Sequence, residues 1–349
     1  MERFFAVDEV LRAAVAGGAF PGACALIGRG DQVLFRRASG RLSDEADAPA
    51  CDVDTRFDVA SVTKPLVVGM LALRALERGR LCLWDKLETF CDAPEDKRLI
   101  TVEQLLTHTS GLAQGVHLWR MTDDPRDAER LLLATPLAYA PGTQVRYSSA
   151  AYILLGLMLE RLYGMPLATL ARQEVFAPLH MASTDYLPQG VNIAATERQP
   201  DGRRWQGVVH DENARFLGGA AGNAGVFSTV DDLALWMQML ARWGEAPDGA
   251  RYLARATLRE AMRNRTPGMA KGRGLAFALP WYERGYAGDL FPPETVGHTG
   301  FTGSSITLDP TAALYVVLLT NRVCPARDNT QIYRVRRLVH NAAYAAAER

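Results

Sequence analysis

The chain has 349 residues, 48% of them hydrophobic and 22% charged, enough apolar material for a large core and one to three domains. Lys plus Arg and Asp plus Glu each total 39, and a net charge of zero argues against nucleic acid or an anionic membrane as a partner. The five cysteines, Cys24, Cys51, Cys82, Cys91 and Cys324, form no Cys-x-x-Cys pair. They read as reduced thiols, and with no secretory core in Met1 to Gly18 and no run of membrane-spanning length the expected location is cytoplasmic, or periplasmic if a leader has been removed.

Phe4, Phe5, Val7, Val10, Leu11 and Ala14 recur at helical spacing, and Gly17-Gly18 ends that helix. Ala23 to Ile27 and Gln32 to Phe35 read as a hairpin turning at Gly28-Arg29-Gly30-Asp31; no third glycine stands at position 33, so this is not a dinucleotide loop. A helix is predicted from Leu66 to Arg78, stopped by Gly79, with Ser61 and Lys64 in its first turn. Further helices at Thr101–Leu106, Arg126–Ala134, Ala150–Tyr163, Leu167–Val175 and Val230–Trp243 make the region up to about Ala270 mostly helical. Thr101 and Gln104 approximate a capping box. After Pro280, Glu294 to His298, Ser304 to Leu308 and Ala313 to Leu319 read as strands, and Ile332 to Ala347 as a closing helix. Strands at both chain ends imply one antiparallel sheet covered by the terminal helices. The expected fold class is therefore α/β (α+β): a sheet lobe from residues 1–64 and 280–349, an inserted helical lobe from 65–279, and a site in the cleft between them.

Ser61 and Lys64 lie three residues apart, so the amine reaches the hydroxyl across one helix face. A serine becomes a nucleophile when a base removes its proton, and a lysine is that base only when neutral, which demands burial and favours a second polar partner. The alternative is that Ser61 caps the helix and Lys64 is solvated. Tyr147-Ser148-Ser149 stands where a loop enters a helix, either as a site element or as a cap with a packed tyrosine. His298-Thr299-Gly300-Phe301 lies in a glycine-rich strand and turn that something can approach closely, or in a plain hairpin. Trp281, Tyr282, Phe291 and Pro292 precede it and either wall an acyl pocket, the favoured reading, or cover the sheet. His210-Asp211-Glu212-Asn213 is dense in potential ligands, yet adjacent residues rarely face one ion and no second histidine lies near, so neither a metal nor a cofactor is expected. His108, His117, His180 and His340 read as structural or surface groups.

Ser61-Val62-Thr63-Lys64, Tyr147-Ser148-Ser149 and His298-Thr299-Gly300 together resemble the three motifs of the serine β-lactamase and penicillin-binding-protein superfamily, in order and in approximate separation. The chain is most similar to the class C related branch of carboxylesterases, D-aminopeptidases and D,D-peptidases. Leu105 to Leu112, Pro141-Gly142-Thr143, Gly225 to Thr229 and the segment from Val209 to Gly219 add to the likeness, which spans nearly the whole chain. The resemblance implies a β-lactamase-like fold with a five-stranded-type antiparallel sheet. It implies Ser61 as nucleophile, Lys64 as its proton partner, Tyr147 as the phenol sharing acid and base work, and the Ser61 and Phe301 N–H groups as oxyanion hole. Ser149, His298, Thr299, Gly300 and Trp281 then fall on the substrate side. Two departures stand out: Ser149 replaces an asparagine, and His298 replaces a lysine suited to a substrate carboxylate.

That exchange favours a neutral ester or amide. The expected activity is hydrolysis of a small ester or amide through an acyl-enzyme on Ser61, with a small-molecule ester, amide or peptide substrate as partner. A D-amino-acid peptidase, a muropeptide-type amidase or a weak β-lactamase is the alternative enzyme; a binding or sensor domain without turnover is the alternative of another class. No Gly-x-Ser-x-Gly elbow competes with Ser61.

Overall fold

A computed structural model describes residues 2–283 and 285–348, apart from the side chains of Glu2, Tyr282 and Glu283. Helix α1 (Phe5–Ala16) buries Val7, Leu11 and Ala14, one residue in each turn of its apolar face. Strands β1 (Gly22–Arg29) and β2 (Gln32–Gly40) follow as a hairpin that is longer than its apolar runs predict. Gly28 and Arg29 pair with Val33 and Gln32, which shrinks the turn to Gly30-Asp31, with Gly30 at φ +57°. After β3 (Phe57–Asp58) the segment bearing Ser61 is a 3₁₀ turn, Ala60–Val62, then a π turn, Lys64–Gly69, before the regular α2 (Met70–Glu77). The predicted first α-helical turn is thus irregular, and π turns are frequent at functional sites.

The middle of the chain supplies α3 (Val102–Leu106), α4 (Ala128–Ala134), α5 (Ser149–Tyr163), α6 (Leu167–Ala171), β4 (Asp185–Tyr186), α7 (Glu212–Phe216), β5 (Val226–Ser228), α8 (Val230–Ala241) and α9 (Arg255–Met262). The capping box at α3 is complete rather than approximate: Thr101 Oγ1 accepts from the Gln104 N–H at 3.2 Å and the Gln104 side chain accepts from the Thr101 N–H at 3.0 Å. The chain closes with β6 (Gly272–Arg273), β7 (Ala278–Leu279), β8 (Val296–Thr299), β9 (Ser305–Asp309), β10 (Leu314–Thr320) and α10 (Ile332–Ala347).

The main sheet is antiparallel with order β2-β1-β10-β9-β8-β7-β6, joining strands from both ends of the chain. It has seven strands where five were expected, and the additional pair, β6 and β7, is only two residues long each. Period-2 alternation sorts its two faces. Ala23, Ala25, Ile27, Leu314, Val316 and Leu318 pack under α1 and α10, while Cys24, Leu26, Tyr315, Val317 and Leu319 face the large core shared with the helical region. A second sheet, β3-β5-β4, went unpredicted because strands of two or three residues show no period. Phe291, read as a pocket wall, packs instead in the layer of terminal helices against the His340 and Tyr344 rings. The Tyr282 side chain lies outside the described residues.

Candidate active site

Ser61 is presented by a strained turn. Ala60 just before it has φ +47°, a left-handed conformation that an L side chain rarely adopts, and its N–H donates to Asp58 Oδ1 at 2.8 Å. Lys64 has no exposed surface at all. Its Nζ lies 3.0 Å from Ser61 Oγ, 2.9 Å from the Asn223 carbonyl and 3.5 Å from Ser149 Oγ, and 4.8 Å from the centre of the Tyr147 ring. The solvated alternative for Lys64 is therefore overturned, since the π turn directs the side chain inward.

Tyr147-Ser148-Ser149 divides its labour. Ser148 is the cap of α5, its Oγ accepting from the Ala151 N–H at 3.3 Å, which leaves Ser149 facing Lys64. Tyr147 Oη is buried and makes no hydrogen bond, a state that the Tyr163 and Tyr315 hydroxyls share. Its ring rests against His108 with centroids 4.5 Å apart, and His108 Nδ1 accepts the Ser148 N–H at 3.1 Å, fixing the imidazole as a neutral Nε2–H tautomer. Burial, then the charges of Arg273 and Lys64, push His108 well below the ordinary histidine value. His108 therefore has partners that its sequence context did not reveal.

Strand β8 carries His298 and Thr299 to the opposite wall. His298 is buried, its Nδ1 2.9 Å from the Thr299 carbonyl, and desolvation followed by the charges of Lys64 and Arg273 pushes it down to about 3. It is a neutral imidazole at any ordinary pH, not a group poised near 6.5. The turn after it is tightly held. Gly300 admits no side chain because a Cβ there would lie 2.3 Å from the Val59 carbonyl, and Arg336 Nη2 donates to the Gly300 and Ser304 carbonyls at 2.9 Å each. Arg322 Nε donates to the Phe301 carbonyl at 2.7 Å. The Phe301 ring is stacked on His210, centroids 5.6 Å apart, with the Arg322 guanidinium carbon 4.4 Å from its centre.

Ser61, Tyr147, His298, Thr299, Gly300 and Phe301 line one cavity of about 300 Å³. Lys271, Arg273, Arg322 and Arg336 line it as well, and no carboxylate does among the described residues. Lys64 and Ser149 stand behind Ser61, outside this lining. Trp281 does not reach it and is 54% exposed. A larger open cavity of about 800 Å³, between Asp92, Lys97, Arg130 and Leu133, lies away from these groups.

The loop from His210 to Asn213 is structural. Among the described residues no three His, Cys, Asp or Glu side chains converge as metal ligands. Asp211 Oδ1 caps α7 through the Ala214 N–H at 2.8 Å and accepts from Asn223 Nδ2 at 3.0 Å, steadying the residue whose carbonyl meets Lys64. Asn213 bridges to the Leu118 N–H and the Val116 carbonyl. His210 Nε2 lies 3.2 Å from Glu197, which Arg327 holds in turn. His180 meets Asp248 at the surface, His117 packs on Trp119, and His340 sits between Thr307 Oγ1 and the Arg336 carbonyl.

Sequence reading missed Asp58, His108, Asn223, Arg322 and Arg336. One signal was available: Arg336 and His340 share the buried face of α10 with Ile332, Val335, Val339 and Ala343, where an unpaired charge is costly.

In comparison with known proteins, residues 7–341 match the family model described as Beta-lactamase. The chain belongs to the beta-lactamase family. An N-acetylmuramyl-L-alanine amidase of Bacillus subtilis (strain 168) is 30% identical, over 90% of this chain and 80% of the relative. Among solved structures, EstCE1, a hydrolase with promiscuous acyltransferase activity, superposes with a TM-score of 0.78 at 25% identity, covering 98% of this chain and 99% of that one. A penicillin-binding protein homologue from Caulobacter crescentus shares the fold at 24% identity, with a TM-score of 0.77 over 99% of this chain and 98% of that one. This beta-lactamase-family chain is a serine hydrolase in type, and the resemblance read from its three motifs holds.

Proposed function

We propose that the protein hydrolyses an ester or amide bearing a carboxylate, through an acyl-enzyme on Ser61. The observation that carries this reading is Lys64, fully buried with its Nζ 3.0 Å from Ser61 Oγ, beside a buried Tyr147 hydroxyl that has no other partner. As the Oγ–carbon bond forms, the Ser61 proton passes to the Lys64 and Tyr147 pair. The carbonyl oxygen takes the negative charge against the Ser61 and Phe301 N–H groups, where the loss of one donor typically costs about 100 to 1000-fold. The leaving oxygen or nitrogen departs with the returned proton. Water then attacks the ester carbon, passes its proton to the same pair, and Ser61 is restored.

The preference for a neutral substrate, inferred from His298 in place of lysine, gives way at this point. His298 is uncharged, but the cavity draws its positive charge from other elements: Arg322 and Arg336 donate to backbone carbonyls, which carry no countercharge, and no carboxylate lines the cavity among the described residues. A carboxylate beside the scissile bond suits that field. The amidase relative favours a peptide amide as the second reading. The test compares p-nitrophenyl butyrate with the p-nitrophenyl monoester of glutaric acid. We expect kcat/KM for the anionic ester to be higher by about 10-fold or more at low salt, with Ser61→Ala inactive on both. Equal rates would remove the carboxylate preference, and turnover by Ser61→Ala would remove the nucleophile.

A further inference from the structure

The two N–H donors invoked above belong to Ser61 and Phe301, which come from distant parts of the chain and must be held in register to within a fraction of an ångström. We infer that Asp58 is the positioning residue that sets them relative to one another, its carboxylate gripping the Ser61 turn and its carbonyl gripping the Phe301 turn. The inference rests on the serine-hydrolase reading of this site.

Contacts on three sides make the brace. Asp58 Oδ1 accepts the Ala60 N–H at 2.8 Å, and Ala60 is the left-handed residue, φ +47°, whose backbone aims Ser61 at the cavity. A strained residue of this kind persists only where its surroundings over-determine it, and the Asp58 carboxylate supplies that determination. On the other side, the Asp58 carbonyl accepts from Thr302 Oγ1 at 2.6 Å and from Ser304 Oγ at 3.5 Å, the residues that flank the end of the Phe301 turn. The third side closes the loop: Asp58 Oδ2 accepts the His210 N–H at 2.7 Å, and the His210 ring stacks on Phe301. One residue therefore reaches Ser61 directly through Ala60 and Phe301 by two routes. Asp58 and Thr302 are both buried, so water does not compete for these bonds.

Burial pushes the Asp58 carboxyl up to about 6, with Asp211 raising it and Arg215 lowering it among the neighbouring charges. At neutral pH it is an ionised carboxylate in a dry site, a costly group to bury unless it is fully hydrogen-bonded. The backbone N–H groups of Ala60 and His210 meet that requirement, and no arginine or lysine is needed.

The test uses the full chain and two substitutions. Asp58→Asn loses an acceptor, because an amide nitrogen cannot receive one of the two N–H groups. Thr302→Val removes only the hydroxyl that ties the Phe301 turn to the Asp58 carbonyl. With p-nitrophenyl butyrate we expect kcat to fall by about 30-fold or more in Asp58→Asn and by about 5 to 10-fold in Thr302→Val, with KM within about 3-fold of wild type. Affinity for an alkyl boronic acid, which places an oxygen in the donor pair, should fall in parallel with kcat/KM, and Thr302→Ser should restore most of both. A purely packing role predicts lower thermal stability with kcat and boronate affinity per folded molecule unchanged, and that result overturns the inference. If Asp58→Asn does not fold, Thr302→Val decides alone by the same criteria. A fluorophosphonate adduct on Ser61 of the wild type, read by intact mass, separates the two failures: its absence removes the serine-hydrolase reading itself, whereas its presence with wild-type kcat in both variants removes only the brace.

Discussion

Lys64 illustrates how a side chain acquires chemistry from its surroundings: its neighbours are a hydroxyl at 3.0 Å, a backbone carbonyl at 2.9 Å and two aromatic faces, with no carboxylate in hydrogen-bonding reach among the described residues. On the proposed mechanism, replacing it with alanine removes half of the pair that takes the Ser61 proton. Hydrolysis should fall by at least about 1000-fold, and a near-wild-type rate with a nitrophenyl ester would dismiss the role. Tyr147→Phe is a sharper probe, because the hydroxyl makes no hydrogen bond in the fold. Its removal should leave the melting temperature within a few degrees while lowering kcat by about 100-fold or more, as measured by thermal denaturation and steady-state rates on the same sample. His298, held near 3 by burial, should show no titration of its ring protons by NMR between pH 5 and 8. A shift centred near 6.5 would mean that the imidazole is hydrated and that the cavity is wetter than its packing implies.

Among the elements, α5 and the glycine loop that faces it set the depth at which Lys64 is held. Gly222 lies against the backbone of α5, where a Cβ would come within 2.0 Å of the Tyr152 carbonyl, and the next residue supplies the carbonyl that accepts from Lys64. Gly222→Ala should therefore push the loop outward, destabilising the protein by roughly 2 to 3 kcal/mol and lowering activity as the Asn223 acceptor moves. Denaturant unfolding alongside turnover would check it, and unchanged values for both would show that the loop relaxes freely. The role of this loop was not legible beforehand, since a backbone carbonyl leaves no mark in the sequence. By contrast, the Ser148-Ser149 pair followed by an apolar helical run announced the start of α5, and the structure decides that Ser148 caps while Ser149 turns inward.

At the level of the whole molecule, burial of neutral histidines couples stability to pH. His108, His210, His298 and His340 are all depressed by desolvation, His340 to about 4. Each resists protonation when folded but accepts it near 6.5 when unfolded, so the stability present above that value is lost as pH falls toward the folded values. Asp58, raised by burial to about 6, acts oppositely as pH falls through that value, and Asp232 is raised by burial in the same direction, but these carboxyls are fewer. The melting temperature should drop by about 5 °C or more from pH 7 to pH 5; a flat profile in calorimetry would show that these histidines are hydrated in the folded state. The sequence by itself determined the family through three spaced motifs. It also determined the antiparallel sheet joining both chain ends and the boundaries of most long helices, because strand alternation, helical period and capping are local and repeat over many residues. Only the tertiary structure decided that Lys64 is dry, that His298 is neutral, that Asp58 braces both turns and that Arg322 and Arg336 colour the cavity. These properties depend on desolvation and on contacts between residues remote in the chain, which no local pattern encodes.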